Sequence, residues 1–198
     1  MDTIDPNSLK IFCRSNGNEL DLHQISSILA LQRGWRADRH SANPEEGFLA
    51  TEFEADEVRD LYEHGGTFFL LQRSGTIVGF ALTTDIGKFT EQYDGPGGGQ
   101  LCLTEALDLP SFVYLYQVVI QRGEEQRGLG RRLVRHVLDH HRQPILADVL
   151  AAPVPNLASS RFFARLGFKT VGVLTLGQYR DYGALTSEVL IFSEKDLP

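Results

Sequence analysis

Apolar residues recur along this chain at two spacings, and the spacing changes from element to element. Leu22, Ile25, Ile28 and Leu29 fall on one helical face over residues 21–31, with Asp21 typed as the N-cap. Residues 32–47 are polar and carry Gly34, Pro44 and Gly47, so a loop follows. Ala55–Glu63 is a second short amphipathic helix, stopped by Gly65 and Gly66. Thr67–Arg73 and residues 76–84 are rich in β-branched and aromatic residues, and Ser74-Gly75 between them is hairpin turn chemistry. Residues 85–111 form a long break holding a glycine run at 95–99, either a functional lid or a floppy insertion. Strand patterning resumes at 112–120. In the helix predicted over 128–141, Leu129, Leu133, Val134, Val137 and Leu138 share one face. A near-continuous apolar strand covers 144–150. A helix covers 156–166, with Asn156 as N-cap and Gly167 as stop, and strands at 168–174 and 188–193 finish the chain. This order predicts an α/β (α+β) fold: a mostly antiparallel sheet containing one parallel strand–helix–strand crossover.

At 198 residues the chain is sized for a single domain, 1–198, with an insertion at about 85–111. Hydrophobic residues make up 42% and charged residues 23%, which excludes a disordered or collagen-like chain. Asp and Glu number 26 against 19 Lys and Arg, a net charge of −7, so nucleic acid is not an expected partner. Cys13 and Cys102 are too few for a disulfide framework, and their neighbourhoods carry no nucleophile signature; reduced thiols point to a cytoplasmic protein. The acidic start has no apolar run, and no stretch approaches the roughly 20 apolar residues of a membrane helix, so no membrane association is expected.

The chemistry concentrates after the strand at 112–120. That strand runs through a turn into Gln126-Arg127-Gly128-Leu129-Gly130-Arg131, which opens a helix. Gly128 and Gly130 let backbone approach a ligand closely. The first helical turn presents unpaired N–H groups and the positive end of the dipole, and Arg127, Arg131 and Arg132 add positive charge. A phosphate or pyrophosphate fits there; a plain strand-to-helix turn with solvated arginines is the alternative. The turn is neither G-x-x-x-x-G-K-[ST] nor G-x-G-x-x-G, since Leu133 stands where the latter needs its third glycine. The missing Lys-Ser/Thr pair and metal carboxylates argue against a nucleotide-binding or phosphotransfer domain.

A second motif lies beyond the next strand: Asn156-Leu-Ala-Ser-Ser-Arg-Phe-Phe-Ala-Arg-Leu-Gly-Phe168. A strand, an R-G-x-G helix start, a strand ending in Asp148-Val149 and then N-x-x-[AS]-x-x-F-[YF]-x-[RK]-x-G-F together resemble the GNAT superfamily of N-acetyltransferases. The resemblance implies an acyl-CoA N-acyltransferase that moves an acetyl group from acetyl-CoA to a primary amine by direct attack. It places acetyl-CoA where the family's fourth and fifth strands splay apart, here 112–120 and 144–150. Backbone of Gln126, Arg127, Gly128, Leu129, Gly130 and Arg131 would cradle the pyrophosphate. Val118, Val119 and Ile120 would pair with pantetheine, with the Val118 N–H near the thioester carbonyl. Asn156 and Phe163 would complete the cofactor side. The acceptor, a small-molecule or peptide amine, would lie among the loops at 32–47, 85–111 and 178–183. A homodimer is left open.

Two positions depart from the family pattern. Glu125 stands where a Gln or Arg is usual, putting a carboxylate beside the pyrophosphate. Phe163 stands where many members carry the Tyr that protonates the CoA sulfur, and it reads as a core aromatic. Both departures favour the alternative of a catalytically degenerate CoA-binding or protein-interaction module. Tyr114 and Tyr116 are the candidate catalytic replacements; with Val118 they lie two apart and so share a strand face, although half-buried strand aromatics are the plainer reading. Tyr179 and Tyr182 read as surface loop residues near the acceptor. Glu105 and Asp108 read as proton acceptors or plain surface charges, and Trp35 as a pocket wall or simple packing. His136 and His140 have i, i+4 spacing without a third ligand, so no metal is expected.

Overall fold

The computed structural model describes residues 9–15, 20–38, 40–94, 98–179 and 182–193. The strands are β1 (Leu9–Arg14), β2 (Thr67–Arg73), β3 (Thr76–Asp85), β4 (Gly99–Leu103), β5 (Val113–Ile120), β6 (Ile145–Ala152), β7 (Lys169–Tyr179) and β8 (Gly183–Phe192). The helices are α1 (Leu22–Arg33), α2 (Ala55–Glu63), α3 (Gly87–Asp94), α4 (Leu129–His140) and α5 (Leu157–Leu166), with a 3-10 turn at Leu109–Ser111. The strands hydrogen-bond in the order β1-β2-β3-β5-β6-β8-β7-β4. β5 and β6 pair in parallel, with α4 as their crossover, whereas β1–β2, β2–β3, β4–β7, β6–β8 and β7–β8 pair antiparallel. The mixed, mostly antiparallel α+β fold is therefore the one the patterning predicts.

The chain divides into two compact units. The first holds the described residues up to Trp35, Thr51–Thr83 and Gln117–His140. Its hairpin turns at Ser74 and Gly75, both with positive φ (49° and 86°), the type I′ geometry that matches strand twist. Asp21 caps α1 by accepting from the Gln24 N–H at 2.8 Å while Gln24 Oε1 reaches back to the Asp21 N–H. In α4, Leu129, Leu133, Val134, Val137 and Leu138 are buried and the arginines between them are exposed, so this strongly amphipathic helix settles against the core. The strand β1 has no counterpart in the sequence reading; its six residues pair antiparallel with β2 from Leu9↔Arg73 to Arg14↔Phe68.

The second unit holds Arg36–Ala50, Thr84–Tyr116 and the described residues from His141 onward. Two expectations are corrected here. The break at 85–111 contains helix α3 and strand β4, which pairs with β7 from Gly99↔Leu176 to Leu103↔Gly172; of the glycine run, 95–97 lie outside the described residues. The close of the fold is a long hairpin: β7 reaches Tyr179, which pairs with Gly183, where a loop was expected. Consequently Tyr182 is no surface residue. It is 2% exposed, stacks on Phe48 and donates its hydroxyl to the Ala37 carbonyl at 2.6 Å.

Asn156 caps α5, accepting from the Ser159 N–H at 3.2 Å, and Gly167 ends it in the left-handed region at φ 96°. The loop before Phe48 is laid on this helix start: Ala158 N–H donates to Pro44, and Arg161 grips Glu45 through two hydrogen bonds of 2.6 and 3.1 Å. Arg161→Ala should leave the melting temperature nearly unchanged, because water screens a fully exposed pair; a drop as large as a buried cap gives would show that the pair anchors the loop.

Candidate active site

In the first unit the end of β5 is fixed from both sides. Gln121 N–H donates to the Val78 carbonyl at 2.8 Å, tying that residue to β3. Backbone groups of successive strand residues point to opposite sides, so the Ile120 carbonyl faces away from β3. Trp35 Nε1 donates to that carbonyl at 2.5 Å. The Arg122 guanidinium lies 4.3 Å over the Trp35 ring, and its Nε donates to the Gly34 carbonyl. Trp35 thus packs against the strand that the resemblance assigns to pantetheine. One lone pair of Ile120 is spent on the indole, leaving the second for another donor. Within this stretch Val118 and Ile120 are half-exposed while Gln117 and Val119 are buried.

The turn that follows is built from left-handed residues: Gly123 at φ 86°, Gln126 at 62° and Gly128 at 74°. Its acidic residues are turned onto the protein itself. Glu124 bonds Arg73 at 2.7 Å and Arg127 at 3.3 Å, and Glu125 accepts the Gly123 N–H at 2.7 Å. The Arg132 N–H donates to Gly128 at 3.0 Å, closing the first turn of α4. The N–H groups of Gly128 to Arg131 precede that bond and are the four orphan donors of the helix start, and those of Gln126 and Arg127 lie in the turn just before it. A Cβ built on Gly128 would meet nothing within 4 Å, and Arg131 and Arg132 are exposed beside it. Oriented donors, a helix N-terminus, open space and two arginines fit an anionic group such as the pyrophosphate of acetyl-CoA.

In the second unit β5 and β6, eight residues each, pair only at Val113↔Ile145 and Tyr114↔Leu146. Tyr114 sits at that last pair and is 1% exposed. Its hydroxyl donates to Asp148 Oδ1 at 2.5 Å and accepts from Gln92 Nε2 at 2.9 Å. Burial, then the Asp148 charge, raises the Tyr114 pKa well above the ordinary phenol value. Burial likewise raises the Asp148 carboxyl, against hydrogen bonds from Tyr114 and Ser187 that lower it. Tyr116 stacks on Tyr114 with ring centroids 5.3 Å apart and stays half-buried. The stacking of Tyr114 on Tyr116 agrees with the expected shared face, along which burial falls from Tyr114 to the half-buried Tyr116 and Val118.

Asn156 is 6% exposed, and both ends of its amide are engaged: Oδ1 in the cap, Nδ2 on the Phe48 carbonyl at 2.9 Å. Phe163 is 7% exposed and lies edge-on to Phe162 and Phe168, the core position read from the sequence. His136 and His140 set their rings edge-on against Phe69. Glu105 and Asp108 are exposed, Cys102 is exposed, and burial raises the half-buried Cys13 thiol. Asp148 and Gln92 are the polar residues that sequence reading left unassigned, although a lone carboxylate in the apolar run Ile145–Ala152 was a visible signal.

No curated protein matches the chain significantly. Solved structures do. The ribosomal-protein-S18-alanine N-acetyltransferase of Escherichia coli is 14% identical, with 96% of this chain and 99% of that one covered and a TM-score of 0.58. The protein smu.2055 of Streptococcus mutans UA159 is 16% identical over 93% and 98%, TM-score 0.62. Arabidopsis thaliana NAA60, solved with a bisubstrate analogue, is 14% identical over 92% and 97%, TM-score 0.57. At these identities the likeness is one of fold. The model of the acetyltransferase (GNAT) family matches residues 29–168, which include α4, the glycine turn and the whole of α5. The chain belongs to the GNAT family of acetyltransferases.

Proposed function

We propose that the protein transfers an acetyl group from acetyl-CoA to a primary amine by direct attack on the thioester. The turn leading into α4 carries this reading, with Gly128 left-handed and open and the donors from Gln126 to Arg131 facing the N-terminus of the helix. These N–H groups hold the pyrophosphate. Backbone of Val118 and Ile120 aligns the pantetheine arm, and the Val118 N–H stabilises the oxyanion that develops on the thioester carbonyl. Much of the acceleration comes from this positioning. Tyr116, half-buried two residues before Val118, supplies the proton for the departing thiolate. Tyr114 is unsuited to that role, since its proton is committed to Asp148 and its acidity is lowered. The names of the E. coli and Arabidopsis structures, an alanine N-acetyltransferase and a bisubstrate complex, agree with an amine acceptor.

Calorimetric titration with acetyl-CoA, with ATP as control, tests the cofactor; micromolar binding of acetyl-CoA alone is expected, followed by CoA release when amines are added. No acetyl-CoA binding would sink the reading. Phe163, buried where a Tyr acid is usual, favours a second reading, a CoA-binding module without turnover. Tight acetyl-CoA binding with no CoA release over a broad amine set would establish it.

A further inference from the structure

The Ile120 carbonyl, at the half-exposed end of β5, is already engaged by a side chain. It faces away from β3, because the Gln121 N–H is the group spent on Val78. The indole N–H of Trp35 reaches it at 2.5 Å from 85 residues away in the chain. Arg122 holds that indole in place: its guanidinium lies 4.3 Å over the ring and its Nε donates to the Gly34 carbonyl. The Arg122 stem runs close by, since a Cβ built on Gly34 would lie 3.9 Å from its Cγ. Gly34, Trp35, Ile120 and Arg122 all belong to the first unit.

Of the two partners in this bond, the strand is the one that cannot yield. A Cβ on Gly79 of β3 would come within 2.6 Å of Ile120 Cδ1 and 2.9 Å of the Val119 carbonyl, so β5 lies hard against β3 there. The backbone under the indole is also fixed. Trp35 N–H donates to the Gln32 carbonyl at 2.9 Å, and the fully buried Gln32 accepts the Phe53 N–H at 2.6 Å. The Trp35 side chain, however, is only half-buried and Arg122 is exposed. The indole is therefore the group that can turn out toward water while α1 and β5 stay where they are. An extended chain laid along β5 needs the Ile120 carbonyl as its acceptor. The carbonyl has a second lone pair, but the ring carbons bonded to Nε1 lie against the same oxygen, so such a chain meets the indole first.

Resting on the acetyltransferase reading, we propose that Trp35 is an autoinhibitory latch. Its indole N–H takes the place on Ile120 that an amide N–H of the pantetheine arm takes when acetyl-CoA binds, and Arg122 sets how firmly the latch is shut. One donor is exchanged for another: the bond from Trp35 breaks, a bond from the arm forms, and the indole N–H passes to water. Affinity for acetyl-CoA is thereby reduced by the fraction of molecules whose latch is open. The nucleotide half of CoA carries no arm and is indifferent to the latch.

Calorimetric titration tests this with acetyl-CoA and with adenosine 3′-phosphate 5′-diphosphate, the nucleotide half alone. Trp35→Phe removes the N–H and keeps an apolar ring. It is expected to tighten acetyl-CoA binding about three- to tenfold, the worth of one hydrogen bond, and to leave the Kd of the nucleotide half unchanged. Arg122→Lys keeps the positive charge but loses the planar stack and the bond to Gly34, so it tightens acetyl-CoA by about twofold. Added to Trp35→Phe it gives no further gain, because the guanidinium acts through the indole. An indole that merely shored up β5, or that lined the arm, would weaken acetyl-CoA binding on removal. Weaker or unchanged acetyl-CoA binding in Trp35→Phe overturns the latch. An equal change for the nucleotide half overturns it too, since the glycine turn itself would then have been disturbed. Should Trp35→Phe not fold, the exposed Arg122→Lys decides alone: tighter acetyl-CoA with an unchanged nucleotide half supports the latch, and anything else overturns it. Absence of acetyl-CoA binding to the wild type and to both variants instead overturns the acetyltransferase reading beneath it.

Discussion

Gly128→Glu abolishes acetyl-CoA binding in a calorimetric titration while the protein still unfolds cooperatively. Two effects of different size separate here. The left-handed backbone at φ 74° penalises any side chain, by roughly 1–2 kcal/mol, which for a chain of this size lowers the melting temperature by about 2–8 °C. No clash adds to it, since a Cβ there meets nothing within 4 Å. Binding suffers far more. A carboxylate set among the donors from Gln126 to Arg131 opposes the pyrophosphate, and like-charge contact costs several kcal/mol, more than about a hundredfold in Kd. Gly128→Asn is the control, because Asn tolerates the left-handed region and adds no charge; it should keep most of the affinity. Equal acetyl-CoA affinity in wild type and Gly128→Glu would place the pyrophosphate elsewhere on the protein.

Asn156→Ala is expected to cost about 2–4 kcal/mol of stability, more than any exposed substitution described above. The buried amide does two jobs. Its oxygen caps α5 at the Ser159 N–H, and its nitrogen holds the Phe48 carbonyl, whose residue stacks on Tyr182. Alanine leaves both partners without the side chain that satisfied them. The melting temperature should fall by roughly 5–15 °C. Asn156→Asp distinguishes the two jobs: it keeps the cap acceptor and loses the donor to Phe48, so it should lie between Ala and wild type. A shift below about 2 °C for Asn156→Ala would mean that the loop before Phe48 stands without this amide.

The parts of the fold that were legible in the sequence are those where one residue type has a steric monopoly or a period runs long. Gly75 and Gly167, both left-handed, come nearest to such a monopoly, and Asn156 carries one of the few side chains that cap a helix; all three bound elements where expected. The unbroken apolar face of α4 is the long period. The edge strand β4 was hidden because its five residues follow a glycine run and stay largely exposed, so burial leaves no alternation to see. The hairpin of β7 and β8 was cut short in the reading because Gly177 and Gln178 weaken the pattern near its tip, although Tyr179 still pairs with Gly183. At the site, the glycine turn announced itself, since the left-handed backbone at Gly128 favours glycine. The Tyr114–Asp148–Gln92 network did not. Its partners are 34 and 22 residues apart and meet only because α3, β5 and β6 converge, which no local pattern encodes.

Trp35 is the only tryptophan in the chain. Its indole N–H is anchored on Ile120 and a guanidinium covers its ring. All tryptophan emission from this protein therefore arises from one chromophore at the end of β5. Its colour and intensity report the polarity and charge at that spot, without a label and without averaging over other indoles. A ligand that competes for the Ile120 carbonyl or draws Arg122 off the ring changes the spectrum directly, whereas one that binds far away leaves it unaltered.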